Sequence, residues 1–294
     1  MGKRKIIVGS RESKLAVIQT NLIIDEIKKH HSDIEIELVT MKTTGDKILN
    51  VTLDKIGGKG LFVKELDNAL VEKRIDLAVH SLKDMPMVTP DEIPIVGLSR
   101  REDPRDVLIL PKGCSELDLS KPIGTSSFRR SLMVKDVIKG AETDWIRGNL
   151  QTRLAKLDSG MFSGIILAAA GIKRLGLQER ISRYFDTSEI LPAAGQGVLA
   201  IQGRRGVDYS FLDCVNSNKS FYTSIAERAF VRYLDGGCSS PVAAYGRVEG
   251  ENLHLQGLYY DEKSGKYTIS EDYGNIVDAE EIGESLAKSM KKEV

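Results

Sequence analysis

Apolar and polar residues come in blocks that switch between short β-branched runs and stretches with helical period. Residues 5–8 read as a strand that passes through Gly9-Ser10 into a helix over about 13–30, with Leu15, Ile18, Leu22 and Ile23 on one face. A strand over 34–40 follows, then a polar, glycine-rich stretch over 43–60 and a helix over about 61–73. A buried strand over 75–79 ends in His80-Ser81-Leu82-Lys83-Asp84-Met85-Pro86. Strands alternating with helices predict a parallel sheet whose site lies at the strands' carboxyl ends.

The order then repeats. Ile123 leads into Gly124-Thr125-Ser126-Ser127 and a helix to about Lys139; 145–146 reads as a short strand and 150–157 as a helix. A buried strand over 164–168 ends in Ala169-Ala170-Gly171-Ile172-Lys173-Arg174. Both halves read strand, Gly-Ser/Thr turn, helix, strand, helix, strand, which predicts a duplicated α/β unit flanking a cleft. The charged, Pro-containing segment 100–106 is one crossover, and Leu191-Pro192-Ala193-Ala194-Gly195-Gln196-Gly197 is the other; 198–201 reads as a strand rejoining the first domain. From Ser220 the pattern becomes α+β, with a helix to about Leu234, strands near 242–248, 253–260 and 266–270, and a helix over 279–291. The expected division is domain 1 over 1–99 plus 196–217, domain 2 over 100–195, and domain 3 over 218–294.

With 294 residues, 42 Lys+Arg against 42 Asp+Glu and a formal net charge of zero, the chain lacks the basic excess of a general nucleic-acid or membrane-surface binder. No N-terminal signal pattern and no run of about 18 apolar residues is present. The three cysteines, Cys114, Cys214 and Cys238, are odd in number and far apart, which points to a reducing cytoplasm.

Against that neutral background the arginines are local. Arg11, Arg129, Arg130, Arg147 and Arg153 lie in or just after turns of Gly, Ser, Thr and Asn at predicted helix starts. A helix N-terminus is electropositive, so a cation there forgoes roughly 0.3–1 kcal/mol that an anion would gain. The same turns offer unpaired N–H groups to an anion. The pattern points to a small ligand with several negative charges; arginine forks suit carboxylate and phosphate alike. Ser13, Thr125, Ser126 and Ser127 offer hydroxyls, although each is also an ordinary helix cap. Gly57-Gly58-Lys59-Gly60 lacks the spacing of a phosphate loop and reads as a lid carrying Lys59. The four histidines and three cysteines lack metal-ligand spacing, so no metal is expected. Asp84 follows a buried strand at the expected site edge. It is either a turn-forming residue or an ionised carboxylate that stabilises a cation or moves a proton. Cys238, in Asp235-Gly236-Gly237-Cys238-Ser239-Ser240-Pro241, is either an inert small hydrophobe or an approachable tether. On these residues alone, an enzyme and a two-lobed polyanion-binding protein both remain open.

Several of these segments together resemble the hydroxymethylbilane synthase (porphobilinogen deaminase) family. They are Ser10-Arg11-x-Ser13-x-Leu15-Ala16-x-x-Gln19, Gly57-Gly58-Lys59-Gly60-Leu61-Phe62 and Val79-His80-Ser81-Leu82-Lys83-Asp84. Gly124-Thr125-Ser126-Ser127-x-Arg129-Arg130, Arg147-Gly148-Asn149 and Leu191-Pro192-Ala193-x-Gly195-Gln196-Gly197 follow, then Ala226-Glu227-Arg228-Ala229-Phe230 and Gly236-Gly237-Cys238. The resemblance implies two α/β domains like periplasmic binding proteins, plus a smaller α+β domain. It implies a transferase that joins four porphobilinogen molecules head to tail with loss of ammonia, giving linear hydroxymethylbilane for haem synthesis. One dipyrromethane cofactor per chain would be held by a thioether to Cys238, with Ser13, Lys83, Asp84, Thr125, Ser126, Ser127, Arg129, Arg130, Arg147 and Gly148 around it. Substrate would meet Arg11, Ser13, Lys59, Ser81, Arg147, Arg153, Arg174 and Gln196, with Asp84 catalytic. A cytoplasmic monomer without nucleic-acid or membrane partners is implied. The chain departs from the pattern at Gln202, where many members have Glu, at Ala243 and at Ser131-Leu132; these bear on local packing.

Overall fold

The computed structural model describes residues 4–43, 63–234 and 241–292. In chain order the strands are β1 (Arg4–Arg11), β2 (Ile34–Met41), β3 (Leu77–Ser81), β4 (Ile95–Leu98), β5 (Asp106–Ile109), β6 (Ile123–Gly124) and β7 (Thr143–Asp144). They continue as β8 (Gly164–Ala168), β9 (Arg183–Tyr184), β10 (Leu199–Gly203), β11 (Ala243–Glu249), β12 (Asn252–Asp261) and β13 (Lys266–Asn275). The helices are α1 (Lys14–His30), α2 (Lys64–Val71), α3 (Phe128–Val137), α4 (Leu150–Asp158), α5 (Ala169–Arg174), α6 (Asn218–Tyr233) and α7 (Ala279–Lys292). The chain divides into two compact units, Met1–Glu102 with Val198–Phe221 and Asp103–Gly197 with Tyr222–Val294.

The first unit holds a sheet ordered β2-β1-β3-β10-β4. β1 runs parallel to β2 and β3, but β10 is antiparallel to both β3 and β4, so the expected parallel sheet is mixed. The reason lies at the entry of β10. Val198 O accepts from Leu82 N (3.0 Å) at the carboxyl end of β3, so the returning strand runs back down the sheet. Val8, Ile23, Ile27, Leu77 and Ile201 form part of the core beneath. Leu22, expected on the buried face of α1, is 47% exposed. Polar residues turn inward instead: Thr20 Oγ1 donates to Ala16 O (3.0 Å), and the Gln19 amide pairs with Ser81.

The second unit repeats the arrangement as β7-β6-β8-β5-β9, with β6 parallel to β7 and β8 and with β5 antiparallel to β8 and β9. The antiparallel strand occupies the same place in both orders, which makes the duplication visible. The strand expected at 145–146 lies two residues earlier, in β7. Asp144 Oδ1 accepts from Trp145 N (2.7 Å) and turns the chain off the ladder. The same unit carries the antiparallel sheet β11-β12-β13. One apolar cluster joins Leu108, Ile123 and Phe185 to Ala243 and Leu258.

Candidate functional site

In the first unit β1 ends at Arg11 and Ser13 caps α1, its Oγ accepting from Ala16 N at 3.3 Å. The buried strand β3 delivers a single 3-10 turn, Leu82–Asp84. Leu82 and Met85 are buried on either side, which leaves Lys83 and Asp84 half-buried at the sheet's carboxyl edge. Among the described residues no hydrogen bond or ion pair reaches the Asp84 carboxylate. Ser81, expected to face substrate, trades hydrogen bonds with the Gln19 amide at 3.0 and 3.2 Å. Beneath this edge His80 is buried; desolvation, then the charge of Arg11, pushes it down to about 4.

In the second unit β6 ends at Gly124, and Thr125 N donates to Asp144 O (3.0 Å). Thr125 Oγ1 accepts from Ser127 N (3.2 Å), and Ser127 caps α3. Ser126 is half-buried beside them. The two arginines that follow are not open cations. Arg129 and Arg130 are only 3% and 6% exposed and share one carboxylate. Arg130 Nη2 donates to Asp106 Oδ1 (2.7 Å), while Arg129 Nη2 lies 2.9 Å from Oδ2 as a less well aligned ion pair. Their remaining Nη1 groups donate to Ile166 O and Leu191 O respectively. Gln196, expected to meet substrate, is fully buried and gives its Nε2 to Pro104 O (2.7 Å) and Asp106 Oδ1 (2.8 Å). These arginines do stand at a helix start, but their neutralising partner, Asp106, comes from the charged, Pro-containing crossover 100–106, distant in sequence.

The third turn is more open. Ile146 is buried, and Arg147 follows half-buried with Nη2 covered and making no hydrogen bond among the described residues. Gly148 takes φ 115°, and Asn149 caps α4 by accepting from Thr152 N (2.9 Å). Arg153 Nε donates to Gly148 O (2.8 Å), and Arg174 Nη2 to Gly197 O (2.7 Å). Lys59 with its glycine-rich stretch, and Cys238, lie outside the described residues.

Two buried acids, Asp106 and Glu227, stand beside the residues expected from the sequence. Asp106 holds the arginine pair, and Glu227 in α6 accepts from Gly195 N (2.7 Å) and Gly246 N (2.8 Å). The signal for Asp106 was the apolar run Val107-Leu108-Ile109-Leu110 that it opens. The donor set suits a ligand rich in carboxylates: Arg147 Nη2 and Arg130 Nε are covered donors without an acceptor among the described residues. A buried donor left unsatisfied costs about 1–3 kcal/mol, which an incoming anion would relieve.

Comparison with known proteins bears on the ligand. Residues 6–210 match the family model described as "Porphobilinogen deaminase, dipyromethane cofactor binding domain", and residues 221–292 match "Porphobilinogen deaminase, C-terminal domain". The chain is 56% identical to porphobilinogen deaminase of Ruminiclostridium josui and 57% identical to that of Acetivibrio thermocellus, over 98% of both chains in each case. It is 43% identical to the Clostridioides difficile protein of that name, over 98% of this chain and 97% of the other. Among solved structures, it is similar to the BenM effector binding domain with its effector benzoate, with TM-score 0.43 and 16% identity, covering 80% of this chain and 95% of that one.

Proposed function

The chain belongs to the porphobilinogen deaminase family, and from that membership we propose how its residues divide the work. The enzyme condenses four porphobilinogen molecules head to tail with loss of four ammonia, and water then releases the chain from the primer as the linear tetrapyrrole hydroxymethylbilane. Bound dipyrromethane supplies the primer, a free pyrrole α-carbon from which the product grows.

Each porphobilinogen brings an acetate and a propionate, so the protein's first task is to hold carboxylates. In the first unit Arg11, Ser13, Ser81 and Lys83 do this. In the second, Thr125, Ser126, Ser127, Arg147 and the Gly148 turn hold the cofactor, with Arg147 also meeting substrate alongside Arg153 and Arg174. Arg129 and Arg130 serve the cofactor with N–H groups that Asp106 does not take, while Gln196 acts through Asp106. Cys238 is the tether and Lys59 a further cation for substrate.

Asp84 carries the chemistry. Loss of ammonia from the substrate's aminomethyl group leaves a cation conjugated with the pyrrole N–H. A fixed carboxylate stabilises that charge without reorganising as it develops. The observation that carries this assignment is the setting of Asp84: between buried Leu82 and Met85, with no partner on its carboxylate among the described residues. We further take the enzyme to be a cytoplasmic monomer with domains 1–99 plus 196–217, 100–195 and 218–294. The break between the two family matches, at 210 and 221, supports the last boundary.

The test is the intact mass of the purified protein. It should exceed the polypeptide mass by two linked pyrrole units, and Cys238→Ser should abolish the excess. A bare wild-type chain from haem-competent cells would count against the tether.

A further inference from the structure

Trp145, the chain's sole tryptophan, is 44% exposed, whereas the next residue, Ile146, is buried. Its backbone N–H is tied to Asp144 Oδ1 at 2.7 Å. Asp144 pairs with Gly124 in the parallel ladder, and its carbonyl accepts from Thr125 N. The indole therefore follows directly on the rung that positions the Thr125–Ser127 hydroxyls. The Arg147 guanidinium carbon lies 5.7 Å from the ring centroid, within cation–π range. That guanidinium also carries the covered Nη2 without an acceptor among the described residues.

We propose that Trp145 is a positioning residue for the condensation: its indole fixes the plane of Arg147 and offers a face to the pyrrole ring whose carboxylate Arg147 takes. A pyrrole bearing short acetate and propionate arms is a flat π-system with an anion a few bonds away. An aromatic face beside an arginine matches both parts at once. Arginine alone would bind any carboxylate; the indole adds selection for a flat ring. The inference rests on the reading of Arg147 as a carboxylate anchor.

The experiment compares Trp145→Phe, Trp145→Leu and Trp145→Ala with Arg147→Gln in the full holoenzyme, following kcat and KM, and follows tryptophan emission in the wild type, where Trp145 is its only source. Trp145→Ala and Trp145→Leu should raise KM for porphobilinogen about tenfold with kcat changed less than about threefold, and Trp145→Phe should recover most of the loss. In the wild type, porphobilinogen should shift the emission and reduce acrylamide quenching, saturating with substrate concentration. Equal KM for the Leu and Phe variants, or emission and quenching indifferent to porphobilinogen, overturns the proposal. If Arg147→Gln leaves KM unchanged, the anchor reading fails and this inference with it. If Arg147→Gln raises KM while Trp145→Leu behaves as wild type, only the role of Trp145 fails.

Discussion

Arg130 Nη2 stands 2.7 Å from Asp106 Oδ1 with both side chains buried, and Arg129 reaches the other oxygen of the same carboxylate. Two guanidinium cations on one carboxylate leave a local surplus of positive charge behind the Ser127 cap. Asp106→Asn preserves shape but strands both cations in a buried setting. Removing one partner of such a cluster costs roughly 3–5 kcal/mol. Urea unfolding of Asp106→Asn should show a loss of that order; a loss below about 1 kcal/mol would mean that other groups hold the arginines.

Gly148 combines φ 115° with a tight neighbour. A Cβ there would sit 2.7 Å from Thr152 Cβ, and Thr152 is bound to the Asn149 cap. Gly160 has φ 80° and nothing within 4 Å of its Cβ position, so Gly160→Ala isolates the backbone cost. Alanine at a left-handed position costs about 1 kcal/mol or more. Gly148→Ala should lower the Tm further than Gly160→Ala and also raise KM, because the Arg147–Asn149 turn must shift. Equal effects of the two substitutions would remove steric contact as the reason for this glycine.

Features fixed by neighbouring residues were legible in the sequence, and those fixed by distant partners were not. The caps Ser13 and Ser127 and the strand Gly164–Ala168 follow from local punctuation and a short apolar run. The direction of β10 depends on where the chain re-enters the sheet, and no local pattern encodes that. Asp106 looks like linker charge because its partners are 24 and 90 residues away. The outer strand β13 runs to Asn275, past the expected 270, because Ser270-Glu271-Asp272-Tyr273 has no alternation to announce a strand. Cation placement at helix starts was readable, but whether a cation was already neutralised was not.

His80 and Asp67 give the first unit opposed pH dependences. Burial, then Arg11, holds His80 down to about 4, against an ordinary value of 6.5. The unfolded chain therefore takes the proton first. His80 stabilises the fold above pH 6.5, by an amount on the order of 3 kcal/mol, and this is lost as pH falls through about 4. Burial raises Asp67 from 3.8 to about 6, so its contribution is present below pH 3.8 and is lost as pH rises through about 6. The Gln202 amide tempers both shifts without an aligned hydrogen bond to either group. In a pH series of urea midpoints, Asp67→Asn should steepen the loss of stability between pH 6 and 4, and His80→Gln should flatten it. An Asp67→Asn profile that overlays the wild type would refute the opposition.

Asp84 separates charge from shape most directly. The turn Leu82–Asp84 is pinned by the buried side chains of Leu82 and Met85 and by the bond from Met85 N to Leu82 O (3.1 Å), so substitution at the half-buried Asp84 should spare the fold. Asp84→Asn keeps an oxygen acceptor for a pyrrole N–H but removes the negative charge; Asp84→Ala removes both. If charge stabilisation of the cation left by departing ammonia is the main effect, both variants should lose about a hundredfold or more in kcat. Calorimetric binding of porphobilinogen should then stay within a few-fold of wild type, because the carboxylate anchors are elsewhere. Ammonia release in single-turnover experiments should fall with kcat. An Asn variant close to wild type, beside an inactive Ala variant, would reduce Asp84 to a hydrogen-bond acceptor. Normal turnover in the Ala variant would remove it from the chemistry.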